Sequence, residues 1–267
     1  MEVEGLWNKY NIRWEPDPEV NILVGRNGSG KSTLLNLLNQ ALTDGDFFER
    51  TDCQRLKITF DNDKFNEYFF VEGKAERIVK KILSTNDLIS VIYISTFDMS
   101  VRNKEIENFS EDIRTPLDIE LNELINTFSR YQFSKQRNES IDIFFDIINE
   151  FFEHTEKIVK SDDNKYLFFL QDNIKLLPYQ LSSGEKQIII ILLHVLLQIL
   201  YRSHQPCILL MDEPEISLHI EWQEPFIENV RRLNKNTQII MATHSPGMVM
   251  EGWLDKITEM ETIRKKR

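Results

Sequence analysis

The greasiest run of the chain, "IIIILLHVLLQILY" (188–201), follows directly on the polar stretch "LSSGEKQ" (181–187). A bilayer span needs roughly 20 apolar residues, and His194 and Gln198 interrupt this shorter run, so the pattern predicts a buried core helix. Upstream, "VNILV" (20–24) is a short apolar run ending at Gly25, as a buried strand would be. Leucines at 34, 35, 37, 38 and 42 give residues 31–42 a helical period, and Leu56, Ile58 and Phe60 alternate as in a half-buried strand. "KAERIVKKIL" (74–83) reads as a short helix and "LISVIYIST" (88–96) as a strand.

From about 100 to 162 the pattern turns helical. "TPLDIELNELINTFSRY" and "SIDIFFDIINEFFEHTEKIVK" are amphipathic helices on either side of a polar spacer. Their apolar stripes, on 117–131 and 141–159, are expected in a core rather than on a docking face. "KYLFFLQDNIKLL" (165–177) returns to strand-like alternation. After the opening run come a strand at 207–214, a helix around 221–234 containing Pro225, and a strand at 237–245. Strands alternating with helices at both ends predict an α/β fold. Its sheet is parallel or mixed and flanked by helices, with a helical lobe inserted at about 100–162 into one domain spanning 1–267.

Composition narrows the class. At 267 residues and 41% hydrophobic the chain can build a proper core. The balance of 32 Lys+Arg against 43 Asp+Glu, net −11, argues against wholesale coating of a nucleic-acid backbone. The terminal "IRKKR" (263–267) is expected as a solvated tail. Cys53 and Cys207 lie far apart, and Cys207 opens an apolar strand, which suggests reduced thiols and the cytoplasm. The N-terminus has no basic-then-apolar leader pattern, and no membrane association is expected.

"GRNGSGKST" (25–33) has the spacing Gly-x-x-x-x-Gly-Lys-Ser, after a strand and opening a helix. Asn27, Gly28, Ser29 and Gly30 let backbone N–H groups converge on one point, where the helix dipole adds positive potential. Lys31 can reach the β- and γ-phosphates of a nucleotide, the Ser32 hydroxyl can ligate Mg²⁺, and Thr33 completes the loop. Asp212, at the end of the strand "CILLMD", suits Mg²⁺, and the adjacent Glu213 can orient and deprotonate a water. His244 ends another apolar strand, where it can contact a γ-phosphate. The other four histidines show no metal spacing, so no zinc site is expected. Ser182, Ser183 and Gly184 open the greasy helix either as a plain N-cap or as a second anion site. One nucleotide needs one phosphate loop. A second anion site makes sense if it takes the γ-phosphate held by another copy, in a head-to-tail C2 dimer.

"GRNGSGKST", "LSSGEKQ", "ILLMDEPE", "SLH" and "ATHSP" stand in the order of the motifs of ABC-type ATPases, and the chain resembles that family over nearly its whole length. They look like the Walker A (25–33), signature (181–187), Walker B (207–213), D-loop (216–219) and switch-histidine (244) motifs. "DEPEISLH", "THSP" and "GWLDKITEME" resemble the soluble branch: SMC-like heads, OLD-family ATPase domains and ATPases of bacterial anti-phage systems such as PARIS and Septu. The resemblance implies that Lys31, Ser32 and the 25–33 backbone bind ATP and Mg²⁺, and that Asp212 assists the metal. Glu213 is then the catalytic base and His244 senses the γ-phosphate. Ser182 and Gly184 act across the dimer, and Ser217 and Leu218 lie in the D-loop. Ser183 and Glu185 depart from the transporter wording of the signature, which has Gly and Gln at those positions. No Q-loop glutamine is evident; Gln132 and Gln136 are weak candidates.

The function expected is a soluble ATP-hydrolysing switch that forms an ATP-dependent homodimer or larger assembly and controls a separate effector in anti-phage defence. OLD proteins carry a nuclease domain beyond this point of the chain, so a nuclease effector is expected to be another protein. An SMC-like DNA-associated head and a transporter nucleotide-binding subunit are the competing readings. The acidic balance and the lack of long coiled-coil arms count against the first, and the modified signature and missing Q-loop against the second.

Overall fold

A computed structural model describes residues 1–43, 53–61, 64–71, 74–80, 89–95, 115–134, 139–161, 167–202, 205–250 and 252–267. The backbone divides into two compact units, and the division does not follow the sequence boundaries. The first is built from 1–94, 204–213 and 237–267, and the second from 95–203 and 214–236. The second unit therefore takes in the signature helix and the D-loop along with the helical stretch. Residues 96–114, the start of that stretch, lie outside the described residues.

The first unit holds a five-stranded sheet in the order β13-β3-β12-β11-β7. Its strands are β3 (Val20–Val24), β7 (Ser90–Ser95), β11 (Cys207–Asp212), β12 (Thr237–Ala242) and β13 (Ile257–Glu259). β13, β3, β12 and β11 run parallel. Every residue of β11 is buried, as both-face burial of a parallel strand requires. A second, antiparallel sheet has the order β14-β2-β1-β4-β5-β6. It comprises β1 (Glu2–Leu6), β2 (Tyr10–Arg13), β4 (Arg55–Thr59), β5 (Phe65–Val71), β6 (Lys74–Lys80) and β14 (Arg264–Lys266). The helix α1 (Lys31–Leu42) shares a core with both sheets: its Leu34, Leu35 and Leu38 pack with Val3, Leu6, Leu56, Leu210, Ala242 and Met260.

Two expectations are corrected here. Residues 74–80 form a strand, not a helix, because β5 offers an antiparallel partner that outweighs a weak local helix pattern; residues 81–83 lie outside the described residues. The terminal basic run is not a free tail. Arg264–Lys266 pairs with β2, in register Arg264↔Ile12, and only Lys265, Lys266 and Arg267 are exposed.

The second unit is built on α4 (Ser183–Arg202), with α2 (Pro116–Ser134) and α3 (Glu139–Phe152) packed against it and the short α6 (Phe226–Leu233) against α3 and α4. α4 is long and apolar enough to cross a membrane, but it is mostly buried. The α2 and α3 stripes lie in the core: Leu121, Phe128, Phe144, Ile147 and Phe152 are buried. A capping box starts α2, with the Asp118 carboxylate accepting from Thr115 N–H (2.8 Å) and the Asp118 N–H donating to the Thr115 hydroxyl (3.3 Å). α3 ends at Phe152, eight residues before the sequence pattern suggests. Glu156 then turns the backbone left-handed (φ 54°) into β8 (Lys157–Ser161). β8, β9 (Leu167–Gln171) and β10 (Ile174–Leu176) form a small antiparallel sheet; Asp172 and Asn173, both at positive φ, make its hairpin turn. The helix expected around 221–234 is two pieces, α5 (Ile220–Gln223) and α6, split at Pro225. Pro225 caps α6 and its carbonyl accepts the Asn229 N–H at 3.0 Å.

Candidate functional site

In the first unit, β3, β12 and β11 are neighbours and parallel, so their carboxyl ends deliver three loops to one edge. This is where open α/β sheets bind ligands. The 25–33 loop leaves β3. Gly30 has φ 105°, and a side chain there would also meet the Trp7 ring, at 3.1 Å; Gly28 has φ 73°. Both are left-handed conformations that glycine adopts without strain. Ser29 N–H donates to the Arg26 carbonyl at 3.0 Å and closes the turn. The Ser29 hydroxyl is buried and has no hydrogen-bond partner among the described residues, a polar atom in want of a ligand. Asn27 and Gly28 are exposed, and Thr33 is half-buried in α1.

Lys31 is 5% exposed, and its Nζ donates to the Gly25 carbonyl (3.1 Å) and to His244 Nε2 (2.7 Å). The Ser32 hydroxyl donates to Asp212 Oδ1 at 3.0 Å, and Asp212 is buried. These two hard oxygens, side by side, suit a Mg²⁺ ion that keeps most of its waters. Glu213 carries the backbone cost of the site: its φ is 50°, left-handed for a residue with a Cβ, and its N–H donates to the Ala242 carbonyl at 2.9 Å. Its Oε1 lies 3.5 Å from His244 Nε2. Lys31, Ser32, Asp212, Glu213 and His244 are thus brought together at one edge of the sheet.

One residue in contact with this loop was not foreseen. Arg264 Nη1 donates to the Ser29 carbonyl at 2.8 Å, and its guanidinium lies 4.2 Å above the Tyr10 ring. The sequence signal was weak: a basic run after a buried Met260, where one arginine turns inward.

The signature lies in the second unit. Ser182 and Ser183 are exposed. Ser182 Oγ accepts the Glu185 N–H at 3.2 Å, and Glu185 Oε2 accepts the Ser182 N–H at 2.8 Å. This is a reciprocal capping box, legible as Ser-x-x-Glu in the sequence. Gly184 is needed for close approach: an added Cβ would sit 2.5 Å from the Ser217 carbonyl of the D-loop. Leu218 is buried. Gln132 lies in α2, and Gln136 is outside the described residues.

A glycine-rich loop at the carboxyl edge of a parallel sheet, with acids ending a neighbouring strand, defines the class by fold: an SMC/ABC-like P-loop domain. Residues 100–250 match the family described as "AAA domain, putative AbiEii toxin, Type IV TA system", and the chain belongs to that family. Protein ea59 of Escherichia phage lambda is 25% identical over 88% of this chain and 47% of its own length. Septu protein PtuA of Bacillus thuringiensis is 21% identical over 96% of this chain and 74% of its own. The "Retron Ec83 probable ATPase" of Escherichia coli is 24% identical over 60% of this chain and 34% of its own. The chain thus spans about half the length of the phage relative and a third of the retron one. In fold it is similar to the SmcHead bound to the C-winged helix domain of ScpA, with a TM-score of 0.54 and 12% identity over 100% of this chain and 95% of that one.

Proposed function

We propose that the chain is a cytoplasmic ATP-hydrolysing switch. Two copies close head to tail around ATP, and the closed state controls a separate effector, a nuclease among the candidates, in defence against phage. The observation that carries this is the convergence of Lys31, Ser32, Asp212, Glu213 and His244 on one sheet edge, with a second anion-type helix start at Ser182. The defence role rests on the likeness to Septu PtuA and the retron ATPase.

The chemistry follows from these contacts. Lys31 exchanges His244 Nε2 and the Gly25 carbonyl for β- and γ-phosphate oxygens. The N–H groups of 28–32 and the positive end of α1 hold the rest of the triphosphate. Ser32 and Asp212 would hold Mg²⁺, which neutralises phosphate charge when bound. Glu213 aligns a water and takes its proton as the water oxygen bonds to the γ-phosphorus; the bond to the bridging oxygen breaks and ADP leaves. His244, freed from Lys31, donates to the γ-phosphate. The exposed Ser182 hydroxyl of a second copy donates to the same group.

Glu213→Gln tests the reading, because the amide keeps the shape and loses the base. Turnover is expected to fall by at least about a hundredfold, the usual size of a general-base contribution, while ATP still binds. Native mass spectrometry of the Glu213→Gln chain with ATP and Mg²⁺ is expected to show a dimer or larger assembly. Unchanged turnover removes Glu213 as the base, and a monomer indifferent to ATP removes the sandwich.

A further inference from the structure

The signature departs from transporter wording at Glu185, and the structure shows what that residue meets. Glu185 is 2% exposed and lies in the first turn of α4. Lys157 Nζ, from the first residue of β8, binds both oxygens, at 2.7 and 2.9 Å. The neighbouring cation, Lys186, is engaged elsewhere: its Nζ lies 2.8 Å from Asp118 Oδ1 and donates to the Tyr179 carbonyl at 3.1 Å. Lys157 is therefore the cation that neutralises Glu185.

This pairing matters for an incoming phosphate. Through the capping box, Glu185 fixes Ser182. The Ser182 N–H is taken by the carboxylate, and the hydroxyl oxygen accepts the Glu185 N–H. The cap does not use the hydroxyl's donor position, and Ser182 is exposed. An unneutralised carboxylate beside it would occupy the positive end of the helix and repel a second anion. It would also be a buried charge without a partner, which favours a change of rotamer and loss of the cap.

We propose that Lys157 is a positioning residue for the γ-phosphate presented by a second copy of the chain. It neutralises Glu185 and holds it in the capping rotamer, so that the Ser182 hydroxyl can donate to that phosphate. This rests on the head-to-tail reading above. Because Lys157 belongs to β8 and Glu185 to α4, the competence of the signature then depends on how the β8–β10 sheet is seated against that helix.

The test is a charge cycle in the Glu213→Gln background, with ATP and Mg²⁺ as the probe and the dimer dissociation constant read by sedimentation velocity. Lys157→Met is expected to weaken the ATP-driven dimer by about tenfold to a hundredfold, the size of one unpaired like charge near a half-buried anion. ATP binding to each chain, titrated at concentrations where the chain is monomeric, is expected to stay the same. Lys157→Arg keeps the cation and the dimer. Lys157→Met combined with Glu185→Gln removes the stranded charge and is expected to recover most of the affinity; the Tm of the ATP-free chain, read alongside, separates this from a merely structural role, which would move Tm and ATP binding together with the dimer. Equal dimer affinity in Lys157→Met, or no recovery in the double variant, overturns the proposal. A Glu213→Gln parent that stays monomeric with ATP overturns the head-to-tail reading itself, and is told apart because it fails before any change at Lys157.

Discussion

Gly184→Ala sets two physical effects against each other. Alanine is the better helix former, worth up to about 1 kcal/mol over glycine in a helix interior and less in a first turn, where Gly184 stands. Against this, the new methyl carbon would lie 2.5 Å from the Ser217 carbonyl oxygen. Carbon–oxygen contacts settle at about 3.3 Å, so the D-loop or the helix start must move by most of an ångström. The obstacle is backbone, and no side-chain rotation relieves it. Overpacking of this kind costs about 1–3 kcal/mol. The clash should win, leaving the variant about 1–2 kcal/mol less stable. For a chain of this size that is a fall in Tm of roughly 2–8 °C. Thermal unfolding followed by circular dichroism checks it, with Ser183→Ala as the control. Ser183 is exposed, so its loss should stay within about 0.5 kcal/mol. A Gly184→Ala protein as stable as the parent, or more so, would show that helix propensity governs this position, and the close approach to Ser217 would lose its claim to explain the glycine.

Arg264→Ala removes the donor that holds the Ser29 carbonyl. It should raise KM for ATP several-fold with little change in kcat, since the phosphate loop loosens while Glu213 stays in place; steady-state kinetics separates the two, and a change in kcat alone would refute the assignment. Asp17 accepts from the Glu19 and Val20 N–H groups just before β3, and the Lys256 ammonium beside it holds its carboxyl below the usual carboxylate range. A carboxyl with a lowered folded-state pKa stabilises above its unfolded value, near 4, and loses that contribution as pH falls through the folded one. The stability gap between the parent and Asp17→Asn should therefore be full at pH 7 and close as pH falls below about 4, and a gap independent of pH would refute the pairing.

The residues that read most clearly from the sequence are those whose chemistry cannot be satisfied locally. Two glycines that must take positive φ, a lysine at a helix start, and acids at the end of a fully apolar strand have no bland explanation, and 25–33, Asp212, Glu213 and His244 meet at one edge. What did not read depends on partners that local spacing does not reveal. Residues 74–80 have a passable helical pattern, and only β5 beside them makes a strand the better choice. Arg264 looks like part of a solvated run until β14 pairs with β2 and places it over Tyr10 and against Ser29. Lys157 looks like a surface residue near the end of an amphipathic helix until α3 stops at Phe152 and β8 begins.

The start of α4 shows why two readings of one motif need not compete. Ser-x-x-Glu is a capping box, and the structure has both of its hydrogen bonds. Read alone, the cap would leave the serine nothing for an anion. A hydroxyl, however, carries one donor and two acceptor positions. The cap takes one acceptor of Ser182 and its backbone N–H, and leaves the donor. A phosphate needs that donor, together with the positive helix end, and does not compete for what the cap has taken. The cap also fixes the rotamer from which the hydroxyl points. A serine whose hydroxyl both closes its own helix and faces outward is thus better prepared to meet a phosphate than a freely rotating one. The charge introduced by using Glu at 185, rather than a neutral Gln, is the cost of this arrangement, and Lys157 stands 2.7 Å away to offset it.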